Sequence, residues 1–303
     1  MTKNKFQGTG TAMVTPFLRD GSIDEAALRR LVEHQISGGI DMLVPCGTTG
    51  EGATLKPAEA DRVLSIVIEA ANGRALVIFG AGSNSTETAE EGARRALRLG
   101  ADGVLSVGPY YNKPPQRGFY DHFRRVADVG CPVIVYNVPG RTGSNIEAST
   151  MLKLAEVPNI VATKEASGNL LQMMEILRNR PPEFRVLAGD DSFALPVIAL
   201  GGDGLVSVIS NEAPAMTAEL VNAALEGNLG RARELHYKLL GLMTANFVES
   251  NPMPVKAVLN MMGLIEENLR LPMVPLLPVH RAPLQKLAEE LGLLQSVGAG
   301  RGK

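Results

Sequence analysis

The stretch PVIVYNVPGRTGSNIEASTMLKLAEVPNIVATKE, residues Pro132–Glu165, carries a short apolar, β-branched run at each end. The segment between the two runs has helical periodicity, and this alternation recurs along the chain about every 25 to 30 residues. Parallel strands need a long crossover connection, usually a helix, so the pattern predicts βα units around a parallel sheet.

Eight predicted strands span roughly 225 residues, which matches the size of a closed (β/α)8 TIM barrel. An open doubly wound sheet is the alternative, although no Gly-x-Gly-x-x-Gly follows the first strand. The predicted strands are TAMVTPF (11–17), DMLVPC (41–46), ALVIFGA (75–81), DGVLSVG (102–108), PVIVYNV (132–138), NIVATKE (159–165), RVLAG (185–189) and GLVSVI (204–209).

Helix signals lie between these strands. Asp24 and Thr86 precede helical patterns, Pro57 opens one, and Gly100 follows one. After about residue 213 the pattern changes to three or more amphipathic helices, of which the first completes the barrel. We therefore expect a barrel domain over residues 1–228, a C-terminal helical region over 229–296 and a disordered tail over 297–303.

The charge balance excludes several partners. The 303 residues carry 30 basic and 32 acidic side chains, for a net charge of −2, and neither sign forms long runs. Nucleic acids and anionic membranes usually require a basic surface, so neither partner is expected. The chain also lacks a membrane-length apolar run and a signal-peptide core, which makes the cytoplasm the expected location.

No metal or cofactor is expected. Cys46 and Cys131 lie beside apolar strand-like runs, as buried thiols of a reducing compartment do. The four histidines are scattered without the spacing of metal ligands, and the glycine-containing strand ends form no phosphate loop.

Polar residues at the C-terminal ends of the strands are the candidate functional residues, because barrel enzymes place their sites there. Lys164 ends an apolar strand at this face. Burial would disfavour its ammonium form and leave a nucleophilic amine that can form a Schiff base with a ketone. The alternatives are an ion pair with Glu165 or Glu51, or a lysine that extends to solvent.

Two other strand ends carry hydrogen-bonding groups. The loop GTTGEG (47–52) combines free backbone N–H groups with the hydroxyls of Thr48 and Thr49, a combination that suits carboxylate or phosphate oxygens. A tight β–α turn would need the same glycines. Tyr110 and Tyr111 offer phenols either for proton transfer or for packing.

A third strand end, YNVPGRTG, supplies the phenol of Tyr136 and, five residues later, Arg141. The guanidinium could bind a carboxylate with two hydrogen bonds or form a surface salt bridge. Taken together, an amine, phenols, an N–H-rich loop and an arginine at one face fit covalent amine catalysis on a keto acid.

The motifs GTTGEG, GPYYNKP, YNVPGRTG, VATKEASGN, AGDD and NPMPVKAVL occur in this order within residues 8–294. On these motifs the chain resembles the dihydrodipicolinate synthase and N-acetylneuraminate lyase family of class I, Schiff-base aldolases. Arg141 favours the synthase branch. The resemblance implies condensation of pyruvate with L-aspartate-4-semialdehyde to 4-hydroxy-tetrahydrodipicolinate, the first committed step toward diaminopimelate and lysine.

The resemblance also implies residue roles. Lys164 would form the Schiff base, and Tyr136 would exchange protons through Thr48 and a neighbouring subunit's Tyr111, within a homotetramer built as a dimer of dimers. Arg141 would bind the semialdehyde carboxylate.

For the first substrate, the resemblance implies that Thr48 and Thr49 hold the pyruvate carboxylate. It further implies that Gly189 and Val206 line the pyruvate pocket with their backbones.

Feedback inhibition by lysine is expected to be weak or absent. Family members that lysine inhibits carry histidines and an acid at positions that here hold Pro57, Ala60 and Thr88, so that Asn84 and Tyr110 alone remain of that site.

Two other functions stay open at this point. One is a 2-keto-3-deoxy sugar-acid aldolase or an N-acetylneuraminate lyase-like enzyme, and the other is a catalytically silent barrel used for sensing or assembly. The joint presence of Lys164, Tyr136, Tyr111 and Thr48 argues against the silent barrel. Glu165 has no assigned role beyond an ion pair.

Overall fold

Eight parallel strands form one closed barrel, in which each strand pairs with the next and the last pairs with the first. The computed structural model describes residues 5–294. The predicted (β/α)8 barrel is confirmed, and an open sheet is excluded. The strands are β1 Gly8–Ala12, β2 Met42–Val44, β3 Leu76–Gly80, β4 Gly103–Val107, β5 Val133–Asn137, β6 Ile160–Glu165, β7 Arg185–Ala188 and β8 Gly204–Ser207.

Helices alternate with the strands and surround them. Asp24 caps the first helix by accepting a hydrogen bond from the Ala27 N–H, and Pro57 opens the second, both as predicted. Ser85 caps the third, one residue before the predicted Thr86. The helices are α1 Glu25–Ser37, α2 Pro57–Ala71, α3 Thr86–Leu99, α4 Gln116–Ala127, α5 Pro139–Thr142, α6 Ala148–Ala155, α7 Leu170–Asn179, α8 Ala194–Ala199, α9 Pro214–Leu225, α10 Leu229–Ala245, α11 Met253–Met261 and α12 Pro278–Glu290.

The first strand lies nearer the N-terminus than predicted, since the sequence indicated residues 11–17 and β1 covers Gly8–Ala12. Barrel closure explains the difference, because residues 8–11 pair with residues 204–207 of β8. Any side chain on Gly204 would overlap the Gly8 backbone, so glycine permits this close pairing. The apolar residues after Ala12 leave the ladder before Pro16, which has no N–H to continue it.

Two apolar clusters fill the molecule. The larger lies between the strands and the helices, and it includes the two buried free cysteines, Cys46 and Cys131. The smaller fills the barrel interior and forms an apolar floor beneath the polar strand ends. Its buried members are Phe6, Ala12, Met42, Val44, Ile78, Leu105, Ile134, Tyr136, Val138, Ala162, Leu187 and Val206.

The C-terminal helical sequence divides after α9. This helix packs against β1 and α8 and completes the barrel, as expected. The helices α10, α11 and α12 follow, and the start of α10 at Leu229 coincides with the expected boundary of the C-terminal region. That division stays a prediction, and the predicted tail lies outside the described residues.

Candidate active site

Lys164 and Tyr136 lie side by side at the C-terminal ends of β6 and β5. The two strands pair in parallel with Tyr136 opposite Lys164. Side chains alternate along a strand, and Ala162, two residues before the lysine, faces the barrel interior. Lys164 therefore points inward too, and its Nζ lies 4.4 Å from the centroid of the Tyr136 ring.

Lys164 is a buried amine with an altered acidity. Its side chain is 4% exposed. Its pKa is lowered to about 8, mainly by burial; the negative charge of Asp191 opposes the shift, and the positive charge of Arg141 adds to it. Within residues 5–294 its amine forms neither an ion pair nor a hydrogen bond. A substantial fraction is therefore neutral and nucleophilic near pH 8.

The expected alternative, an ion pair of Lys164 with Glu51 or Glu165, is wrong. Glu51 pairs with the buried Lys256. Glu165 is fully buried and accepts hydrogen bonds from the Asn137 amide, at 3.1 and 3.2 Å, and from the Ser167 N–H at 2.8 Å. Neither acid is bonded to the Lys164 amine.

Tyr136 is a buried phenol. Burial raises its pKa to about 12, whereas the charge of Arg141 acts in the opposite direction. The phenol therefore stays protonated at neutral pH and can donate a proton to a group beside Lys164. Its hydroxyl forms no hydrogen bond with the residues that the structure describes, and a bond to Thr48 is not made.

The loop after β2 is a set of free donors. Among the described residues, the N–H groups of Gly47, Thr48 and Thr49 have no acceptor. Thr48 is exposed, whereas Thr49 is buried and its Oγ accepts a 2.9 Å hydrogen bond from the Asn251 side chain. Consecutive free N–H groups of this kind can hold a carboxylate.

Gly189 lies against the Lys164 side chain, and Val206 belongs to the barrel interior. Gly189 follows β7, and a Cβ there would lie 2.7 Å from the Ala166 Cβ and 3.0 Å from the Lys164 Cγ, so a larger residue would overlap Ala166 and crowd the lysine. Val206 is buried in the barrel interior cluster that also contains Tyr136.

Within the described residues of the single chain, Arg141 lies close to Lys164 and Tyr136, whereas Tyr111 forms a hydrogen bond with neither. Arg141 lies exposed on α5, directly after β5, near enough to affect the pKa of both Tyr136 and Lys164. Tyr111 is 89% exposed and has a left-handed backbone with φ of 71°. It makes no hydrogen bond to Thr48 or Tyr136 in the described part of the chain, so the relay through it stays a prediction.

Asp191 is a site residue whose role the sequence did not assign, although the AGDD motif at a strand end marked its position. Its buried carboxylate accepts hydrogen bonds from the Ser207 hydroxyl at 2.5 Å and from the N–H groups of Val208 and Ile209 at 3.0 and 3.2 Å. These bonds join the ends of β7 and β8, and they hold a negative charge where it stabilises the Lys164 ammonium.

No helix within residues 5–294 has the length and apolar character needed to cross a membrane. In the same range, no group of three or more His, Cys, Asp or Glu side chains is arranged to hold a metal ion.

A family model described as the dihydrodipicolinate synthetase family matches residues 5–291. The chain is 54% identical over 294 residues to a 4-hydroxy-tetrahydrodipicolinate synthase of Koribacter versatilis, and the match covers 96% of this chain and 98% of that protein. It is 51% identical to the enzyme of the same name from Chlorobium phaeobacteroides (strain DSM 266), with 97% and 100% covered.

The fold is also similar to solved structures of this family. Superposition on the crystal structure of dihydrodipicolinate synthase from Aquifex aeolicus gives a TM-score of 0.94 at 43% identity, covering 96% of this chain and all of that one (100%).

Proposed function

Because the chain belongs to the dihydrodipicolinate synthetase family, we propose that it condenses pyruvate with L-aspartate-4-semialdehyde to 4-hydroxy-tetrahydrodipicolinate. This reaction is the first committed step toward diaminopimelate and lysine. The observation that carries the proposal is the buried Lys164 amine, which has a pKa of about 8, beside the protonated phenol of Tyr136. A neutral lysine in such a site is the nucleophile that Schiff-base chemistry requires.

The chemistry begins at Lys164. Its neutral amine attacks the ketone carbon of pyruvate, and Tyr136 supplies the proton that lets the hydroxyl leave as water. The resulting iminium acidifies the pyruvate methyl group, which loses a proton to give an enamine. The enamine carbon adds to the aldehyde of the second substrate, and attack of that substrate's own amine on the imine carbon releases Lys164 and closes the ring.

The substrates are held by donors around the amine. We propose that the free N–H groups of Thr48 and Thr49, with the Thr49 hydroxyl, bind the pyruvate carboxylate. The backbones of Gly189 and Val206 line the same pocket. Arg141 binds the carboxylate of the semialdehyde, since its exposed guanidinium can reach an incoming substrate.

We further propose a homotetramer, a dimer of dimers, in which Tyr111 completes the proton relay of a neighbouring subunit. The exposure of Tyr111 at 89% of its surface supports this arrangement, because the single chain gives the phenol no partner within residues 5–294. The two free buried thiols, Cys46 and Cys131, suit a cytoplasmic enzyme.

Borohydride trapping tests the mechanism. Incubation with pyruvate and borohydride should add one reduced pyruvate to Lys164, detectable by peptide mass spectrometry, and Lys164→Met should remain unmodified. A coupled assay with aspartate semialdehyde, run beside 2-keto-3-deoxy sugar acids and sialate, then identifies the second substrate. An untrapped wild-type chain would refute the mechanism, and turnover of the sugar acids alone would refute the substrate.

Substitution of Arg141 tests the assignment of the second substrate. We expect Arg141→Ala to raise the KM for the semialdehyde by about 10-fold to 150-fold, the cost of losing a hydrogen-bonded charge. Trapping of pyruvate should persist. Arg178→Ala, which removes an exposed arginine from α7, serves as the control. Unchanged condensation kinetics in Arg141→Ala would contradict the proposed role.

A further inference from the structure

The C-terminal region contacts the substrate-binding loop after β2 through three long-range hydrogen bonds. Asn251, just before α11, donates to the Thr49 Oγ at 2.9 Å. Lys256, within α11, pairs with Glu51. The Arg270 N–H donates to the other oxygen of Glu51 at 3.0 Å. The barrel's own neighbouring strands do not provide these contacts.

The bond from Asn251 determines which way the Thr49 hydroxyl can act. Because the amide donates, the Thr49 Oγ is the acceptor and its own hydrogen remains available. Both residues are buried, and the hydroxyl has no second partner in the part of the chain that the structure describes. Thr49 is thus prepared to donate to a carboxylate held by the free N–H groups beside it.

The ion pair fixes the backbone of the same loop. Glu51 is buried and adopts a left-handed backbone with φ of 53°, which costs free energy for a residue other than glycine. Lys256 is fully buried, donates to the Asn268 carbonyl at 2.9 Å and lies 4.4 Å from the centre of the Phe17 ring. A charge pair shielded from water in this way holds its partners firmly, because separating them would leave a buried charge alone.

We propose that Asn251 and Lys256 are positioning residues, which hold the loop at Thr49 in the conformation that donates to the pyruvate carboxylate. The inference rests on the proposed function. It gives the C-terminal region a part in substrate binding in addition to packing against the barrel.

Replacements of Asn251 separate positioning from packing. Asn251→Asp keeps the size of the side chain but removes its N–H donors, so the Thr49 hydroxyl would turn its hydrogen toward the new carboxylate and away from pyruvate. Asn251→Ala removes the contact without reversing it. Asn260→Asp is the matched control. Asn260 lies near the C-terminal end of the same helix, and the substitution removes an amide that donates at 3.0 Å to the Ile265 carbonyl.

The measurement is the pyruvate dependence of borohydride trapping at Lys164. We expect Asn251→Asp to raise the half-saturating pyruvate concentration by about tenfold or more, and by more than Asn251→Ala does, while the trapping rate at saturation stays near that of the wild type. Asn260→Asp should bind pyruvate like the wild type. A packing role predicts the reverse order, with the isosteric Asp variant nearly normal, and that order would overturn the proposal.

The ion pair is tested with both charges removed, because Lys256→Met alone leaves the buried Glu51 carboxylate unpaired and destabilises the fold. The double variant Glu51→Gln with Lys256→Met keeps an acceptor for the Arg270 N–H. We expect a raised half-saturating pyruvate concentration in a chain with wild-type circular dichroism, and unchanged pyruvate binding would refute the role of the pair. If the wild-type chain traps no pyruvate, both the proposed function and this inference fail. If the wild type traps pyruvate and the variants bind it equally well, this inference alone fails.

Discussion

Lys164 combines a reactive amine with an unfavourable position for a charge. Its place at the end of an apolar strand removes water from the ammonium group, and no acid among residues 5–294 pairs with it. Asp191 stabilises the ammonium without bonding to it, so a larger fraction of the amine is neutral than for a lysine in water. The adjacent Tyr136 experiences the same burial, which stabilises its neutral form as well. One apolar environment thus prepares both a base and an acid.

Schiff-base formation should depend on pH through Lys164. The folded-state pKa of about 8 lies below the usual 10.5, so the neutral amine forms as pH rises through 8. We expect the rate constant for pyruvate adduct formation, followed by rapid quenching in borohydride, to rise about tenfold per pH unit below 8 and to level off above it. A midpoint near pH 10 would show that burial does not alter this amine.

Tyr136→Phe should slow catalysis while preserving the fold. Loss of the phenolic proton donor is expected to lower kcat by about 10²-fold to 10⁴-fold, the usual contribution of general acid–base catalysis. Steady-state assays and thermal unfolding measure the two effects separately. Tyr237→Phe removes the hydroxyl of an exposed tyrosine on α10 and should leave kcat unchanged. A Tyr136→Phe enzyme with normal kcat would exclude the phenol from proton transfer.

At the scale of elements, Glu165 joins the strands that carry the reactive pair to the helix outside them. Its carboxylate accepts from Asn137 on β5, from the Ser167 N–H and from Gln172 on α7 at 3.4 Å. Burial raises its pKa, and these donors oppose the shift. Lys164 and Glu165 are adjacent in sequence but lie on opposite faces of β6, so one face carries the proposed nucleophile and the other anchors the strand.

Removal of that anchor should destabilise the protein. Glu165→Ala removes one acceptor from the buried amides of Asn137 and Gln172, which keep their bonds to Asn145 and Ile146, and it removes the acceptor of the Ser167 N–H. We expect a loss of about 1–3 kcal/mol in total. Chemical denaturation should therefore show a lower free energy of unfolding. Glu175→Ala makes the same substitution on the exposed face of α7, where no buried donor loses its acceptor. It should change the free energy of unfolding by less than about 0.5 kcal/mol. Equal stability of the two variants would contradict the anchoring role.

At the scale of the whole molecule, contacts distant in sequence assemble the site. Asn251 and Thr49 are 202 residues apart, and Lys256 and Glu51 are 205 apart. The reactive amine belongs to the barrel, whereas the loop that would receive its substrate is secured by the C-terminal region.

Regulation is a second property at this scale. Pro57 opens α2, Ala60 is buried within it and Thr88 lies exposed on α3, so none of the three presents an imidazole or a carboxylate to an amino-acid ligand. We expect lysine at millimolar concentration to leave most of the condensation activity in place. Strong inhibition at sub-millimolar lysine in the coupled assay would contradict this expectation. Introduction of His at both Pro57 and Ala60 is the complementary variant, in which sensitivity should increase.

The sequence by itself determined the alternation of eight strands with helices and indicated the strand ends that carry the candidate site, whereas the pairing of β1 with β8 showed that the sheet closes into a barrel. Apolar runs, helix caps such as Asp24 and polar residues at strand ends are local signals, and the alternation of elements makes them readable without a partner. Lys164 and Tyr136 were predictable for the same reason, since each ends an apolar strand.

Only the tertiary structure decided where β1 begins, what surrounds Glu165 and how the loop at Thr49 is held. The bounds of β1 depend on its pairing with β8, and Glu165 takes its partners from neighbouring elements. Asn251 and Lys256 contact the loop only because the C-terminal region folds back onto the barrel. Hydrogen bonds across such separations leave no periodic pattern, because periodicity records which face of an element is buried and not which partner it meets.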